Sequence, residues 1–326
     1  MKAEQGMSKI SVRPQDIILF HVGGSMGNYG PIDSIIHKFP RNCVVVGFEA
    51  RQDESDKEVD TSLTPLGVRL HLVNAFIGEK DGHVQDFYIN KHPESSSGLP
   101  PNPQVLEEIC PVPYADDKPT WGVNTALDRK ETVTTKSLKT VIKELGVTPD
   151  VLSIDAQGLE VAILKGTGNY LKDAVALVTE VEFFEIYAGQ GLFADQAILL
   201  KKRDFRLAEL LNSQNWYPGV SCGKGYLTVS EALWFKQLDA FFTESKNDQD
   251  SMLRGIKFAA VAFCFEYYST AYLIIERLMA NNSASAVEKC CIDHDYGILL
   301  SVHSQVNKLQ EDEHERWRLA SKTQVS

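Results

Sequence analysis

Over its first two-thirds the chain alternates apolar runs of strand length with segments of helical periodicity. That alternation restricts the fold to a mostly parallel sheet covered by helices on both faces. Ile17 to Val22 is the first strand, an apolar run that stops at Gly23 and Gly24, and a helix is expected over Ile32 to His37 behind Pro31. Cys43 to Phe48 is a second, β-branched run that ends in an acid, Glu49. A third strand is expected over Arg69 to Phe76, followed by a turn at Asp81 and Gly82 and the alternating segment His83 to Asn90, a pattern that reads as a hairpin.

From Pro93 to Lys130 the chain is rich in proline, serine and asparagine and has no periodicity. So long an irregular segment in a compact domain is assigned as an active-site lid. Val133 opens a short strand, Leu138 to Leu145 is helical with Gly146 closing it, and Val151 to Ile154 is a central strand ending at Asp155. Val175 to Phe183 is the next strand and Phe193 to Lys202 a helix, while Phe205 to Leu211 and Tyr226 to Phe235 fit an antiparallel edge pair. Beyond Leu238 the texture changes. The polar run Glu244 to Asp250 reads as a linker, after which Ile256, Ala260, Phe263, Tyr267, Ile274 and Leu278 recur at helical spacing. A second helix is expected over Tyr296 to Leu319. The expected division is therefore an α/β domain over residues 1–238 and a C-terminal α-helical extension over residues 239–326, used for packing or for forming a homodimer.

Composition narrows the partners. A formal charge of −11 argues against nucleic acid, whose affinity comes from lysine and arginine neutralising phosphates. The six cysteines show no CxxC spacing and read as reduced thiols. The first ten residues carry no apolar run of the secretory kind, so a cytoplasmic location is the expectation. Ile256 to Ile275 has the length of a bilayer span, yet it contains Lys257 and Glu266, and a buried or dimer-forming helix explains it better.

Three places carry residue types suited to chemistry. Gly23, Gly24 and Gly27 sit between a strand and a helix, where bare amides can face a negative group; the plainer alternative is a tight turn without a ligand. Counting from Gly23, Ser25 and Asn28 occupy positions where a dinucleotide fingerprint needs glycine, which disfavours a nicotinamide oxidoreductase. Glu49 ends the second strand, where an acid can accept from ribose hydroxyls or simply meet solvent. Asp155 ends the central strand beside Gln157, Gly158 and Glu160, and Glu160 also suits the first turn of a helix on dipole grounds alone. Glu180 and Glu182 share a strand face, with Glu185 and Tyr187 following. They suit a general base or a carboxylate pair, or equally a solvated loop end. No histidine spacing supports zinc, and no metal site is assigned.

The turn Val22 to Gly27, the acid Glu49, the element Ile154-Asp-Ala-Gln-Gly-Leu-Glu160 followed by Leu164-Lys165-Gly166, and Ile186-Tyr187 ahead of Leu192-Phe193 resemble the FkbM family of S-adenosylmethionine (SAM)-dependent methyltransferases. Ser95 to Ser97 before Leu99, and Glu231-Ala232-Leu233, look like further landmarks of that family. The resemblance spans residues 15–236. It implies a seven-stranded Rossmann-like class I methyltransferase sheet, SAM as cofactor, and O-methylation of a hydroxyl on a small-molecule or carbohydrate acceptor such as a sugar, glycolipid, polysaccharide or polyketide. By position it implies that His21, Gly23, Gly24, Ser25 and Gly27 line the cofactor and that Glu49 holds the ribose. Ala75, Phe76 and Ile77 would then sit near the adenine, and Asp155 beside the reacting methyl. Asp155 becomes the first candidate base, with Glu182 or Glu185 behind it. Two positions depart from the family pattern, which usually has an acid at His21 and a glutamate at Gln157. A degenerate methyltransferase fold serving as a binding or scaffold module through its C-terminal helices is the rival expectation.

Overall fold

The computed structural model describes residues 8–23, 29–50, 61–111, 120–219, 222–245 and 248–323. The chain divides into two compact units, Met1–Val12 with Asp16–Gln237, and Arg13–Gln15 with Leu238–Ser326.

The strands of the first unit are β1 (Ile17–Gly23), β2 (Cys43–Glu49), β3 (Arg69–Asn74), β4 (Phe76–Gly78), β5 (Val84–Asn90), β6 (Leu127–Ser137), β7 (Val151–Asp155), β8 (Ala176–Glu182), β9 (Phe205–Trp216) and β10 (Tyr226–Lys236). Seven of them form one sheet in the order β3-β2-β1-β7-β8-β10-β9, the mixed α/β arrangement expected. All neighbours from β3 to β8 run parallel, and β10 is antiparallel to both β8 and β9. Both faces of the sheet are covered, which is why β1 and β2 read as unbroken apolar runs rather than alternating ones. Phe20, Val44, Val46, Leu152 and Ile154 share one core with Val141 and Ile142 of the helix Leu138–Leu145 and with Ile163 and Leu164 of the helix Glu160–Gly166. Each such buried side chain contributes about 1.5–3 kcal/mol relative to exposure. Ile17, Leu19 and Val45 alternate to the opposite face and are just as fully buried.

Two expectations about the middle of the chain fail for a common reason. The single strand expected over Arg69 to Phe76 is broken at Ala75, whose amide donates to the Glu49 carbonyl at 3.1 Å before the chain leaves the main sheet. The residues after it form β4, which belongs to a separate three-stranded sheet ordered β4-β6-β5. The expected hairpin of the third strand with His83 to Asn90 does not form, because β6 lies between β4 and β5, parallel to the first and antiparallel to the second. This strand begins at Leu127 rather than Val133, so it also absorbs the end of the segment expected to be irregular. That segment further contains the helices Pro103–Ile109 and Trp121–Asn124; residues 112–119 lie outside the described residues.

The second unit is helical: Leu238–Glu244, Gln249–Cys264, Tyr268–Asn281, Ala284–Asp293 and Ile298–Thr323. The run Ile256 to Ile275, expected as one helix, is two, because the chain turns at Glu266 with φ 66°. Among the described residues no helix is long and apolar enough to cross a membrane. The two halves pack closely, with a Cβ on Gly255 standing only 2.7 Å from Leu278. Tyr272 stacks on His303 with ring centres 5.1 Å apart and donates to Asn307 at 2.8 Å, which ties in the last helix. The helix Ala284–Asp293 was not anticipated; its N-cap Ser283 accepts from the Ala286 amide.

Candidate active site

Chain order runs outward from the middle of the main sheet, with β2 on one side of β1 and β7 on the other. Open α/β sheets bind ligands at the carboxyl ends of strands flanking such a reversal. The parallel register places Gly23 directly beside Asp155 at that point. Gly23 has φ +84°, and a Cβ there would run into the Asp155 carbonyl. Its missing side chain is therefore required first by the neighbouring strand. Gly24, Ser25 and Gly27, the other expected cofactor contacts of this turn, lie outside the described residues.

A cleft open to solvent lies beside Gly23. Val22 and Gly23 line it from β1, Phe48 and Glu49 from β2, and Ala75, Phe76 and Ile77 from the break after β3. Phe87, Leu159 and Ile163 add apolar surface, and Asp155 faces it from β7. Phe76 and Phe87 meet edge to face at 5.2 Å. Gly23, Glu49, Ala75, Phe76 and Asp155, far apart in the chain, thus surround one space. An acid beside an apolar aromatic slot suits a nucleoside, whose ribose hydroxyls donate to the carboxylate while the base packs on the rings.

His21 lines a second, smaller hollow with Tyr29, Ser153, Asp155, Glu180 and Glu231. Strand alternation turns its side chain away from that of Val22. Its Nδ1 lies 3.1 Å from Ser153 Oγ, and its ring meets Tyr29 edge to face. Burial lowers its pKa to about 4, against the opposing pull of Asp155, so the imidazole is neutral near pH 7. Burial likewise raises Glu231, while the Asn212 amide that donates to it works the other way. Asp155 borders both the cleft and the hollow.

The turn that follows β7 explains its own sequence. Gln157 and Gly158 have φ of 51° and 93°, and the chain then enters the helix Glu160–Gly166. Glu160 folds back so that its Oε1 accepts from the amides of Ala156 at 2.8 Å and Gly158 at 3.2 Å. It is completely buried, which goes beyond the role of a first-turn acid. Burial pushes its pKa up to about 7, against the pull of those amides and with the help of Asp155. Gln157 Nε2 donates to Asp155 Oδ1 at 2.8 Å and to Glu180 Oε2 at 2.9 Å, and its Oε1 accepts from the Tyr187 hydroxyl at 2.9 Å. Glu180 and Glu182 are raised well above the ordinary carboxylate range, first by burial and then by the neighbouring carboxylates.

Glu185 stands apart from this group. It is exposed, and its carboxylate accepts from the Gly189 amide in its own loop. The serine segment is instead held to the site: Tyr187 lies within hydrogen-bond reach of the Ser95 carbonyl, and Ser97 Oγ donates to the Gln157 carbonyl at 2.6 Å. Ser96 and Gly98 consequently form part of the cleft wall. Sequence reasoning did not single out Ser153, Gln190 or Phe87. Their one signal was the alternation within their strands, and Gln190, on a loop, had none.

The seven-stranded sheet, with a cleft at its β1/β7 reversal, is that of a Rossmann-like, class I methyltransferase. The chain belongs to the FkbM methyltransferase family, whose domain model matches residues 21–207, more than half of its length. A search of curated proteins found no match. Among solved structures it is similar to a precorrin-6y C5,15-methyltransferase from Geobacter metallireducens, at 12% identity over 71% of this chain and 82% of that one, with a TM-score of 0.32. It is also similar to an O-methyltransferase family 2 protein from Planctomyces limnophilus in complex with apigenin, at 8% identity over 72% of this chain and 55% of that one, with a TM-score of 0.31. This chain therefore spans about half the length of the second protein.

Proposed function

We propose that the domain ending near residue 238 transfers a methyl group from SAM to a hydroxyl of a sugar-like acceptor, on a glycolipid, a polysaccharide or a small glycoside. The family supports a SAM-type cofactor, and the residues present fit one. Glu49 would hold the ribose, Ala75 and Phe76 would border the adenine, and the end of β1 at Gly23 would meet the amino-acid part. Bound there, SAM supplies an electrophilic methyl carbon.

The single observation that carries the reading is that Asp155 borders both spaces, the apolar cleft and the polar hollow. A hydroxyl seated in the hollow reaches the same carboxylate that faces the cofactor side. Asp155 accepts the proton that this hydroxyl releases, and the Gln157 amide keeps its carboxylate in place. Neutral His21 and Ser153 offer hydrogen bonds to the same acceptor without adding charge. Orientation of the two reactants supplies much of the acceleration. Glu182 stands behind Asp155 as a second acid, and the helical unit from about residue 239 is an extension available for self-association.

The test incubates cell extract with SAM and the purified full chain and searches by mass spectrometry for a product heavier by one methylene. Asp155→Asn is expected to lose that product while still binding S-adenosylhomocysteine in calorimetry. No heat with either SAM or S-adenosylhomocysteine at about millimolar concentration would end the cofactor assignment. Binding without any product would favour the scaffold reading.

A further inference from the structure

Glu160, Glu180 and Glu182 come from adjacent elements, the helix Glu160–Gly166 and the end of β8, and one carboxylate oxygen of each lies within 4.8 Å of the other two. Glu160 is 0% exposed and Glu182 2% exposed. Glu160 commits only Oε1 to the backbone amides; its Oε2, like Oε2 of Glu182, is enclosed and has no hydrogen-bond donor. The surrounding donors are engaged elsewhere or few. Gln157 gives its amide to Asp155 and Glu180, Tyr187 points its hydroxyl at Ser95 and Gln157, and only the Gln190 amide faces Glu182. No lysine or arginine among the described residues pairs with any of the three, while Asp155 adds a fourth carboxylate nearby.

The Glu160 oxygen without a donor, beside a Glu182 carboxylate that only the Gln190 amide faces, calls for a partner that accepts lone pairs, since a buried carboxylate left alone costs several kcal/mol. Oxygens separated by up to 4.8 Å match opposite ligands of an ion with metal–oxygen distances of about 2.3–2.6 Å. An all-carboxylate set selects hard cations over zinc or copper. Glu180 also lines the polar hollow, which provides a way in.

We propose that Glu160, Glu180 and Glu182 form a binding site for one hard divalent cation of the Mn²⁺ or Ca²⁺ kind, set behind Asp155. The ion neutralises the cluster, fixes Glu180, and through the Gln157 amide that bridges Glu180 and Asp155 it holds the carboxylate at the reaction centre. The proposal does not depend on the cofactor reading, because it is tested with the metal alone.

The full chain, stripped with chelator and exchanged into metal-free buffer, is titrated with MnCl₂ while the electron paramagnetic resonance signal of free Mn²⁺ is followed. One ion bound per chain, displaced by CaCl₂ or MgCl₂, is the expected result. Glu160→Gln and Glu182→Gln keep the side-chain shape and are each expected to weaken binding at least tenfold, on the order of a lost ligand. Glu131→Gln, on the exposed part of β6, leaves it unchanged. Circular dichroism checks that each variant folds, and Glu180→Gln, at a half-buried position, carries the same test if a buried variant does not. No Mn²⁺ binding up to about 1 mM, or binding that survives these substitutions, overturns the proposal in favour of carboxyls that share protons among themselves.

Discussion

The Gln157 side-chain amide donates to Asp155 at 2.8 Å and in the same stroke to Glu180 at 2.9 Å, so Asp155, the proposed base, is oriented by an amide where the family pattern usually has a glutamate. An amide can donate to two carboxylates; a carboxylate cannot donate to either. Gln157→Glu is therefore expected to destabilise the chelator-treated protein by about 2–4 kcal/mol in urea unfolding, from two lost bonds to charged acceptors and a new like charge. An unchanged midpoint would mean that the bridge is not held in solution.

Glu49 ends β2 with its side chain in the cleft and little solvent around it, 8% exposed. If it grips the ribose, Glu49→Gln reduces affinity for S-adenosylhomocysteine about tenfold or more, since each factor of ten is about 1.4 kcal/mol. Calorimetry with that ligand reads the effect directly, and equal affinities in the two proteins would remove Glu49 from the site.

Stability in chelator should fall as the pH rises. Burial holds Glu160 near 7, against 4.5 for an ordinary glutamate, and lifts Glu180 and Glu182 well above that range. The folded protein thus keeps protons that the unfolded chain releases from pH 4.5 upward, and the stabilisation, complete below that pH, is lost as the pH climbs through 7. His21 acts oppositely: held neutral down to about 4, it costs stability as the pH falls below 6.5, where the unfolded chain takes up a proton. Comparing wild type with Glu182→Gln, which stays neutral throughout, isolates the carboxyl contribution. The wild type should lose more stability than the variant as the pH rises from about 5 to 8. Parallel curves would refute this account.

Gly23→Ala tests the contact between β1 and β7. At φ +84° an alanine is strained wherever it sits, and here its Cβ would meet the Asp155 carbonyl. A loss of about 2 kcal/mol or more is expected in urea unfolding, from the left-handed backbone and the forced shift together. A stable variant that merely bound S-adenosylhomocysteine less well would return Gly23 to the simple role of ligand contact.

The sheet was legible in the linear chain because burial on both faces writes strands such as Ile17–Gly23 and Cys43–Glu49 as apolar runs bounded by turn residues. The pairing of Gly23, Glu49 and Asp155 was legible in part, since each closes a strand and strand ends meet at one edge of a parallel sheet. The break at Ala75 was not, because β3 ends one bond past its pairing with Glu49, and where β2 ends alongside it is set by the fold and not by the local pattern. Nor was the helix break at Glu266, inside a run whose apolar spacing continues on both sides.

What the sequence alone determined, then, is the layered α/β plan, the family, and which acids stand at strand ends. Tertiary structure alone decided that Glu160 turns inward to meet Glu180 and Glu182, that Gln157 spans Asp155 and Glu180, and that Glu185 stays in its own loop. The reason is range. Periodicity reports which face of an element is buried, whereas the partner of a carboxylate is set by residues from other elements, as Glu160 and Glu182 lie on different ones, and no local pattern encodes that meeting.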